Sequence, residues 1–118
     1  DLDGIFRRLG LTAAMYGHAG SGKLHLRPLF DRHDPDLPTL LNRVADEVYG
    51  AVLSYDGTIT AEHGMGRLRT PYLAQEWGPA ITRYMRRVKD IFDPDDRLNP
   101  DVMFSERGLT EDLRGLGN

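Results

Sequence analysis

The stretch LTAAMYGHAGSGKLHLRPLF, residues 11–30, contains the clearest signal for the fold. Two segments with strand character, at about 11–17 and 23–30, flank a short glycine-rich turn. In the second segment, polar and apolar residues alternate with the period of two that is typical of a β-strand. Short strands on both sides of a tight glycine turn predict an antiparallel hairpin.

The same turn fits the first part of a nucleotide-binding P-loop, G-x-x-x-x-G-K, from Gly17 to Lys23. A P-loop also needs a Ser or Thr after the lysine and a helix that begins there, because the helix N-terminus faces the phosphate. Leu24 follows the lysine instead, and Pro28 would break a helix begun at Lys23. The sequence therefore argues against a phosphate site.

The rest of the chain predicts three helices. Residues 1–10 read as the end of one helix, and residues 38–55 form the clearest helix, because their apolar residues recur at three- and four-residue steps. A third helix is expected at 71–92, interrupted near Gly78 and Pro79. Its apolar face, expected to lie in the core, consists of Ile81, Met85, Val88 and Phe92.

Two further segments, TITAEH at 58–63 and DVMF at 101–104, have weaker strand character. The order β-β-α-β-α predicts an α+β fold, in which helices cover one face of an antiparallel sheet of three or four strands. A polar tail is expected at 105–118.

Composition narrows the class of protein. The chain has 118 residues, which suits one domain or a piece of one, and it begins at Asp1, so we expect a fragment of a longer protein. The net charge of −3, with basic and acidic residues mixed, argues against a nucleic-acid surface. No apolar run reaches membrane-spanning length. The absence of cysteine fits a cytoplasmic protein.

The hairpin carries the first candidate site. It can bring His18 and His25 together across the ladder, where two imidazoles can share a metal ion. Alternation places Lys23, His25 and Arg27 on one face, so that two cations lie beside the histidines and favour an anion such as a substrate carboxylate. The alternative is a polar hairpin without a ligand, in which Lys23 and Arg27 are solvated.

Glu62 and His63 form the second candidate site, within TITAEHGMG at 58–66. In an extended segment, adjacent side chains point to opposite sides, so one residue can bind a metal while the other faces a substrate proton. Gly64 and Gly66 allow the backbone or a ligand to approach closely.

Three segments together resemble a known family. GHAGSGKLH (17–25), GTITAEHGMGRLRTPYL (57–73) and IFDPDDRLNPDVMF (91–104) resemble, in order and spacing, the C-terminal domain of FAD-linked oxidases. This family includes D-lactate dehydrogenases, glycolate oxidase subunits and D-2-hydroxyglutarate dehydrogenases. HLRPLFD and GLTEDLR are more similar to the subgroup in which the flavin portion is fused to an iron–sulfur portion.

The resemblance implies that residues 1–118 are the second half of a substrate (cap) domain with a ferredoxin-like α+β sandwich. An FAD-binding domain of the same polypeptide would lie N-terminal to it. The resemblance also implies a 2-hydroxy acid as substrate and FAD as the main cofactor. Without the flavin domain, this piece is expected to be inactive.

By the same resemblance, His18, His25 and Glu62 correspond to the ligands of a divalent metal, expected to be zinc, and His63 to the catalytic base. Lys23 and Arg27 are the expected substrate-binding residues. Where the family reads G-D-G-N between the histidines, this chain reads Gly20-Ser21-Gly22-Lys23, which alters both the substrate contact and the metal site.

Two other classes of function remain open at this stage. One is a non-catalytic metal- or anion-binding module on a ferredoxin-like fold, and the other is a structural unit that dimerises through exposed strand edges. The expected location is the cytoplasm, with a peripheral membrane position as the alternative.

Overall fold

The structure is a computed structural model, and it describes residues 1–111 and 113. These residues form two compact units, Asp1–Gly57 and Thr58–Leu113. The part of the expected polar tail at 112 and 114–118 lies outside the described residues.

The first unit confirms the predicted hairpin and two of the predicted helices. Its elements are α1 (Leu2–Arg8), β1 (Ala13–His18), β2 (Lys23–Pro28) and α2 (Leu37–Ser54). Pro38 lies in the first turn of α2, where its fixed φ suits the helix and its missing N–H leaves no bond unmade. A 3₁₀ turn, Ala19–Ser21, joins the two strands, and Gly22 ends it with a φ of 65°.

The two strands pair antiparallel, from Ala13 opposite Pro28 to His18 opposite Lys23. One face of this hairpin packs against the helices. The buried centre of the unit consists of Ile5, Phe6, Val44 and Val48, and Ala13 and Leu26 of the hairpin pack against it. The predicted α+β fold, with helices on one face of an antiparallel sheet, is therefore confirmed for this part of a larger domain, and the opposite face is left for polar side chains.

The second unit contains the third predicted helix, α3 (Leu73–Phe92), which a short 3₁₀ turn at Thr70–Tyr72 precedes. Gly78, with φ 74° and ψ 159°, breaks α3 directly before Pro79, as the sequence predicts. Pro79 cannot donate a backbone hydrogen bond into the preceding turn, so the helix starts again there.

The prediction of strands at 58–63 and 101–104 is wrong. Within the described residues, the sheet contains only β1 and β2. The backbone turns at both places: Ala61 has a φ of 44°, and Asp101 and Met103 have φ values of 61° and 69°. A strand needs a neighbour for its N–H and C=O groups, so weak β-propensity alone did not produce one.

The expectation that the apolar face of α3 is buried is also wrong. Ile81 is 46% exposed, Val88 56% and Phe92 80%. Periodicity shows that a helix has an apolar side, but burial requires a second surface against that side. Among the residues described, no helix has the length and apolar composition needed to cross a bilayer.

The buried carboxylate of Asp93 contacts several groups where α3 ends. The side chain of Asp93 is 7% exposed and pairs with Lys89 one turn earlier. Its two oxygens also accept hydrogen bonds from the backbone N–H groups of Arg97 (2.9 Å) and Leu98 (2.8 Å). Lys89 also donates to the carbonyl of Leu98 and lies 3.0 Å from a carboxylate oxygen of Asp96. This network holds the loop after α3 against the helix.

The network shifts two pKa values in opposite directions. The hydrogen bond from Lys89 lowers the pKa of Asp93 below its ordinary 3.8, against burial, which raises it. The same hydrogen bond raises the pKa of Lys89 above its ordinary 10.5, again against burial. The contribution of Asp93 to stability is therefore complete above pH 3.8 and is lost as the pH falls through its folded pKa. The contribution of Lys89 is complete below pH 10.5 and is lost as the pH rises through its folded pKa.

We expect Asp93→Asn to lower the thermal midpoint of unfolding at pH 7, because it removes the charge that Lys89 and two backbone donors contact. The deficit relative to the unmodified chain should be largest between about pH 4 and 10 and should shrink as the pH falls toward 2. Thermal unfolding followed by circular dichroism at several pH values measures this.

The matched control is Asp90→Asn, which removes an exposed carboxylate that pairs with Arg86 at 3.0 Å on the same helix. Exposed pairs of this kind contribute little to stability. Equal midpoints for Asp93→Asn and Asp90→Asn at pH 7 would contradict the role given to Asp93.

Candidate metal and substrate site

The face of the hairpin that points away from the core carries the predicted histidine pair. The ring centroids of His18 and His25 lie 5.4 Å apart, with the rings at 72° to each other. The two residues are diagonal neighbours, because His18 pairs with Lys23 and His25 pairs with Tyr16. The structure thus confirms that the turn brings the two imidazoles together, although they are not directly opposite.

An aromatic residue that the sequence reasoning did not select belongs to the same face. The ring of Tyr16 stacks on His25, with centroids 5.1 Å apart and an interplanar angle of 25°. The hydroxyl oxygen of Tyr16 accepts a hydrogen bond of 3.3 Å from Nε of Arg27. The alternation that placed His25 and Arg27 on one face would also have placed Tyr16 there, since it precedes His18 by two residues.

The charge of this face is positive. The predicted alternation of Lys23, His25 and Arg27 agrees with the observed register. His18 is exposed, whereas His25 and Lys23 are half-buried. Lys23 and Arg27 place one cation at each end of the β2 face. The two imidazoles can bind a metal when neutral. This surface therefore suits a metal ion and a carboxylate together.

Glu62 and His63 lie in the second unit, in a turn and not in an extended strand. Nε2 of His63 is 3.5 Å from a carboxylate oxygen of Glu62, and both side chains are substantially exposed. The expectation that the two side chains point to opposite sides is therefore wrong. It assumed the twofold alternation of a strand, whereas the turn directs adjacent side chains to one side.

Several hydrogen bonds hold the loop that follows these two residues. Nη1 of Arg69 donates to the carbonyl of Gly64 at 3.1 Å, and the Thr70 hydroxyl donates to the carbonyl of Gly66 at 2.9 Å. The backbone N–H of Met103 donates to the same Gly66 carbonyl at 3.0 Å. Sequence reasoning missed these contacts. The local spacing offers a signal for Thr70, four residues after Gly66, but none for Met103.

The donor chemistry of the predicted ligands fits zinc. Two imidazoles and one carboxylate form a His₂Glu set, which is the set found in catalytic zinc sites that keep a fourth position open. His18 and His25 lie in the first unit and Glu62 in the second. The structure shows that His18 and His25 lie together. The complete set of three metal ligands, His18, His25 and Glu62, stays a prediction.

Comparison with known proteins identifies the family. The C-terminal domain of FAD-linked oxidases matches residues 1–103, which include both candidate sites. The chain belongs to this family. The resemblance noted in the sequence is confirmed, and the name of the family agrees with FAD as its cofactor.

Three named relatives of this chain are bacterial proteins. A D-2-hydroxyglutarate dehydrogenase of Escherichia coli is 37% identical over 100 residues, which cover 85% of this chain and 10% of the relative. A D-lactate dehydrogenase of Anaerostipes hadrus is 37% identical over 86 residues, covering 72% of this chain and 18% of the relative. The glycolate oxidase subunit GlcD of Bacillus subtilis is 30% identical over 105 residues, covering 89% and 22% respectively.

This chain thus spans only about a tenth of the length of the D-2-hydroxyglutarate dehydrogenase and about a fifth of the length of the other two relatives. No solved structure is a significant match.

Proposed function

We propose that this chain is the substrate- and metal-binding part of an FAD-dependent 2-hydroxyacid dehydrogenase. The observation that carries the proposal is the histidine pair, 5.4 Å apart on the exposed face of the hairpin, within the residues that the family matches. Membership of the family and the names of the relatives support this reaction class, and we propose the polar face of the hairpin as the place where the substrate binds.

In this proposal His18, His25 and Glu62 hold a divalent metal, and zinc suits these donors best. A metal ion held by these residues would lower the pKa of the substrate hydroxyl group. Gly22 supports the site from the turn, because its φ of 65° lets the chain reverse between the two histidine-bearing strands.

Oxidation of a 2-hydroxy acid to a 2-oxo acid removes a proton from the hydroxyl group and a hydride from C2. We assign the proton to His63, whose imidazole is more than half exposed and can meet a substrate from solvent. A bound FAD would supply the acceptor for the hydride. Nε2 of His63 lies 3.5 Å from a carboxylate oxygen of Glu62, so the proposed base lies beside a proposed metal ligand.

Lys23 and Arg27 are the proposed partners of the substrate carboxylate. Both lie on the histidine face of β2, two residues before and after His25. The hydrogen bond to Tyr16 uses Nε of Arg27 and not its two terminal nitrogens. Two parallel guanidinium donors suit a carboxylate. Lys23 replaces the family asparagine and adds a full positive charge.

The whole enzyme needs more than this chain. The proposal includes an FAD-binding domain of the same polypeptide and, from the resemblance to the fused subgroup, an iron–sulfur portion. The share of the relatives that the chain covers, between 10% and 22%, supports the view that the chain alone is inactive. Stoichiometric flavin absorbance in the purified 118-residue chain would contradict this part of the proposal.

The metal site is tested by titrating the chain with zinc. We expect His18→Ala and His25→Ala each to weaken zinc binding by at least about tenfold, or ~1.4 kcal/mol, because each removes one of the proposed ligands. Isothermal titration calorimetry of the unmodified chain and both variants measures the dissociation constants.

His33→Ala is the matched control. His33 is exposed in the loop before α2, where its backbone N–H donates to the carboxylate of Asp31 at 2.9 Å. We expect this variant to bind zinc like the unmodified chain. If His18→Ala, His25→Ala and His33→Ala all bound zinc equally, the histidine pair would not be the site.

A further inference from the structure

We infer that Tyr16 is a positioning residue, which fixes the orientation of the His25 imidazole for metal binding, and that Arg27 holds Tyr16 in place. This inference rests on the proposed function, in which His25 is a metal ligand. It adds a residue that stands before the GHAGSGKLH segment and that neither the family resemblance nor the ligand chemistry selects.

The first observation is the stack itself. Tyr16 and His25 are direct partners in the antiparallel register, and their rings lie 5.1 Å apart at an interplanar angle of 25°. Near-parallel aromatic rings at this distance attract each other beyond the effect of area burial alone. A stacked imidazole cannot turn out of the plane of its neighbour without losing that contact.

The second observation is that the stacking ring is itself held. Nε of Arg27 donates to the hydroxyl oxygen of Tyr16 at 3.3 Å, across the two strands. Tyr16 is 53% exposed, so burial in the core does not explain an aromatic residue at this position. The row Arg27, Tyr16, His25, His18 thus runs along one face of the hairpin, and each member contacts the next.

The consequence for metal binding follows from the geometry of imidazole. A histidine binds a metal through a nitrogen lone pair that lies in the ring plane, at about 2.0–2.1 Å. Rotation about the bond to the ring has broad energy wells, so an isolated histidine samples many ring orientations. A neighbour that selects one orientation removes part of the entropy cost of binding, and residues that orient ligands in this way typically change metal affinity about 10–100-fold.

The test compares two substitutions of Tyr16 in the 118-residue chain, with zinc as the probe. We expect Tyr16→Leu to weaken zinc binding about tenfold, because it removes both the stack and the hydroxyl group. Tyr16→Phe keeps the stack and loses only the contact with Arg27, so its zinc affinity should lie between those of Tyr16→Leu and the unmodified chain, and an affinity equal to that of the unmodified chain would overturn the role of Arg27. Calorimetric titration measures both variants.

A second readout needs no metal. In the zinc-free chain, three-bond couplings between the Hβ protons and ring Cδ2 of His25, measured by NMR, report rotation about the bond to the ring and should correspond to one ring orientation. In Tyr16→Leu these couplings should be averaged over several ring orientations. A role for Tyr16 in hairpin stability alone would not produce averaging in a chain that remains folded.

Leu24→Ala is the matched control. Leu24 lies on the opposite face of the hairpin, pairs with Gly17 and is 56% exposed. Its removal weakens hairpin packing without touching the stack, so zinc affinity and the His25 couplings should stay unchanged.

The possible results separate the inference from the proposed function. If the unmodified chain binds zinc, His25→Ala weakens binding and Tyr16→Leu does not, the inference is overturned and the metal site stands. If the unmodified chain binds no zinc, the metal site fails. The couplings then decide the inference about orientation: averaging in Tyr16→Leu supports it, and a single retained ring orientation overturns it.

Discussion

Replacing His63 by alanine in the proposed full-length flavoenzyme is expected to lower kcat about 10²–10⁴-fold, which is the range that a positioned general base contributes. The proposed reaction cannot release its hydride until the hydroxyl proton has a destination. Alanine has no group that accepts it, and water at this exposed turn is a weaker base.

The reductive half-reaction measures this effect directly. Mixing the oxidised enzyme with D-lactate or D-2-hydroxyglutarate in a stopped-flow instrument and following the loss of flavin absorbance isolates the step in which His63 takes part. The expected loss is in the rate of flavin reduction, with a much smaller change in the substrate concentration at half-saturation. A loss of binding alone would show the opposite division between kcat and KM.

His63→Gln and His33→Ala complete the experiment. Glutamine keeps a polar side chain beside Glu62 but cannot act as a base near neutral pH, so it should be as slow as alanine. His33→Ala should retain full activity, because His33 lies in an exposed loop outside the proposed site. Full activity in His63→Ala would exclude His63 as the base and would favour a non-catalytic role for this turn.

Gly17→Ala is expected to disrupt the hairpin and, with it, the histidine pair. A Cβ at Gly17 would lie 2.0 Å from the carbonyl oxygen of Lys23 and 3.0 Å from its carbonyl carbon. Both are backbone atoms of the paired strand, so no side-chain rotation relieves the clash. The strands must move apart between His18 and His25, and overpacking of this kind typically costs about 1–3 kcal/mol, occasionally more.

Two glycines in the turn that follows β1 provide graded controls. Nothing lies within 4 Å of a Cβ at Gly20, so Gly20→Ala should change stability by less than about 0.5 kcal/mol. Gly22 also has free space but a φ of 65°, so Gly22→Ala should cost about 1–2 kcal/mol from backbone strain. The expected order of destabilisation is Gly17→Ala, then Gly22→Ala, then Gly20→Ala.

Urea unfolding measures the free energy of each variant, and zinc titration under folding conditions reports whether the histidine pair survives. If Gly17→Ala were as stable as Gly20→Ala and bound zinc normally, the close approach of the strands at Gly17 would be refuted. The expected loss of stability in Gly17→Ala would also explain the G-x-x-x-x-G-K pattern. Gly17 is needed for the contact between two strands, and no phosphate is required to account for it.

The hairpin and α2 were predictable because their signals are local. Alternation over residues 23–30 indicates a strand wherever a partner lies nearby, and the glycine turn supplies that partner at once. Spacing along 38–55 defines one apolar side of a helix in the same way. The proximity of His18 and His25 was predictable from the turn, whereas their diagonal placement was not.

The segments at 58–63 and 101–104 were not predictable in this way. Their residues tolerate a strand, yet their backbone groups bond in turns, such as the His63 N–H to the Thr60 carbonyl at 2.8 Å. The same limit explains why the prediction that Glu62 and His63 point to opposite sides is wrong. The direction of each side chain can be predicted from the sequence only when the backbone conformation is known.

The amino-acid order alone specifies the helices, the hairpin and the residue types that can bind metal, because each depends on neighbours close along the chain. Folding in three dimensions selects which of these features meet. Tyr16 stacks on His25, Asp93 collects donors from its own loop, and the apolar side of α3 stays exposed. These outcomes depend on distances between backbone segments, and periodicity within one segment carries no information about them.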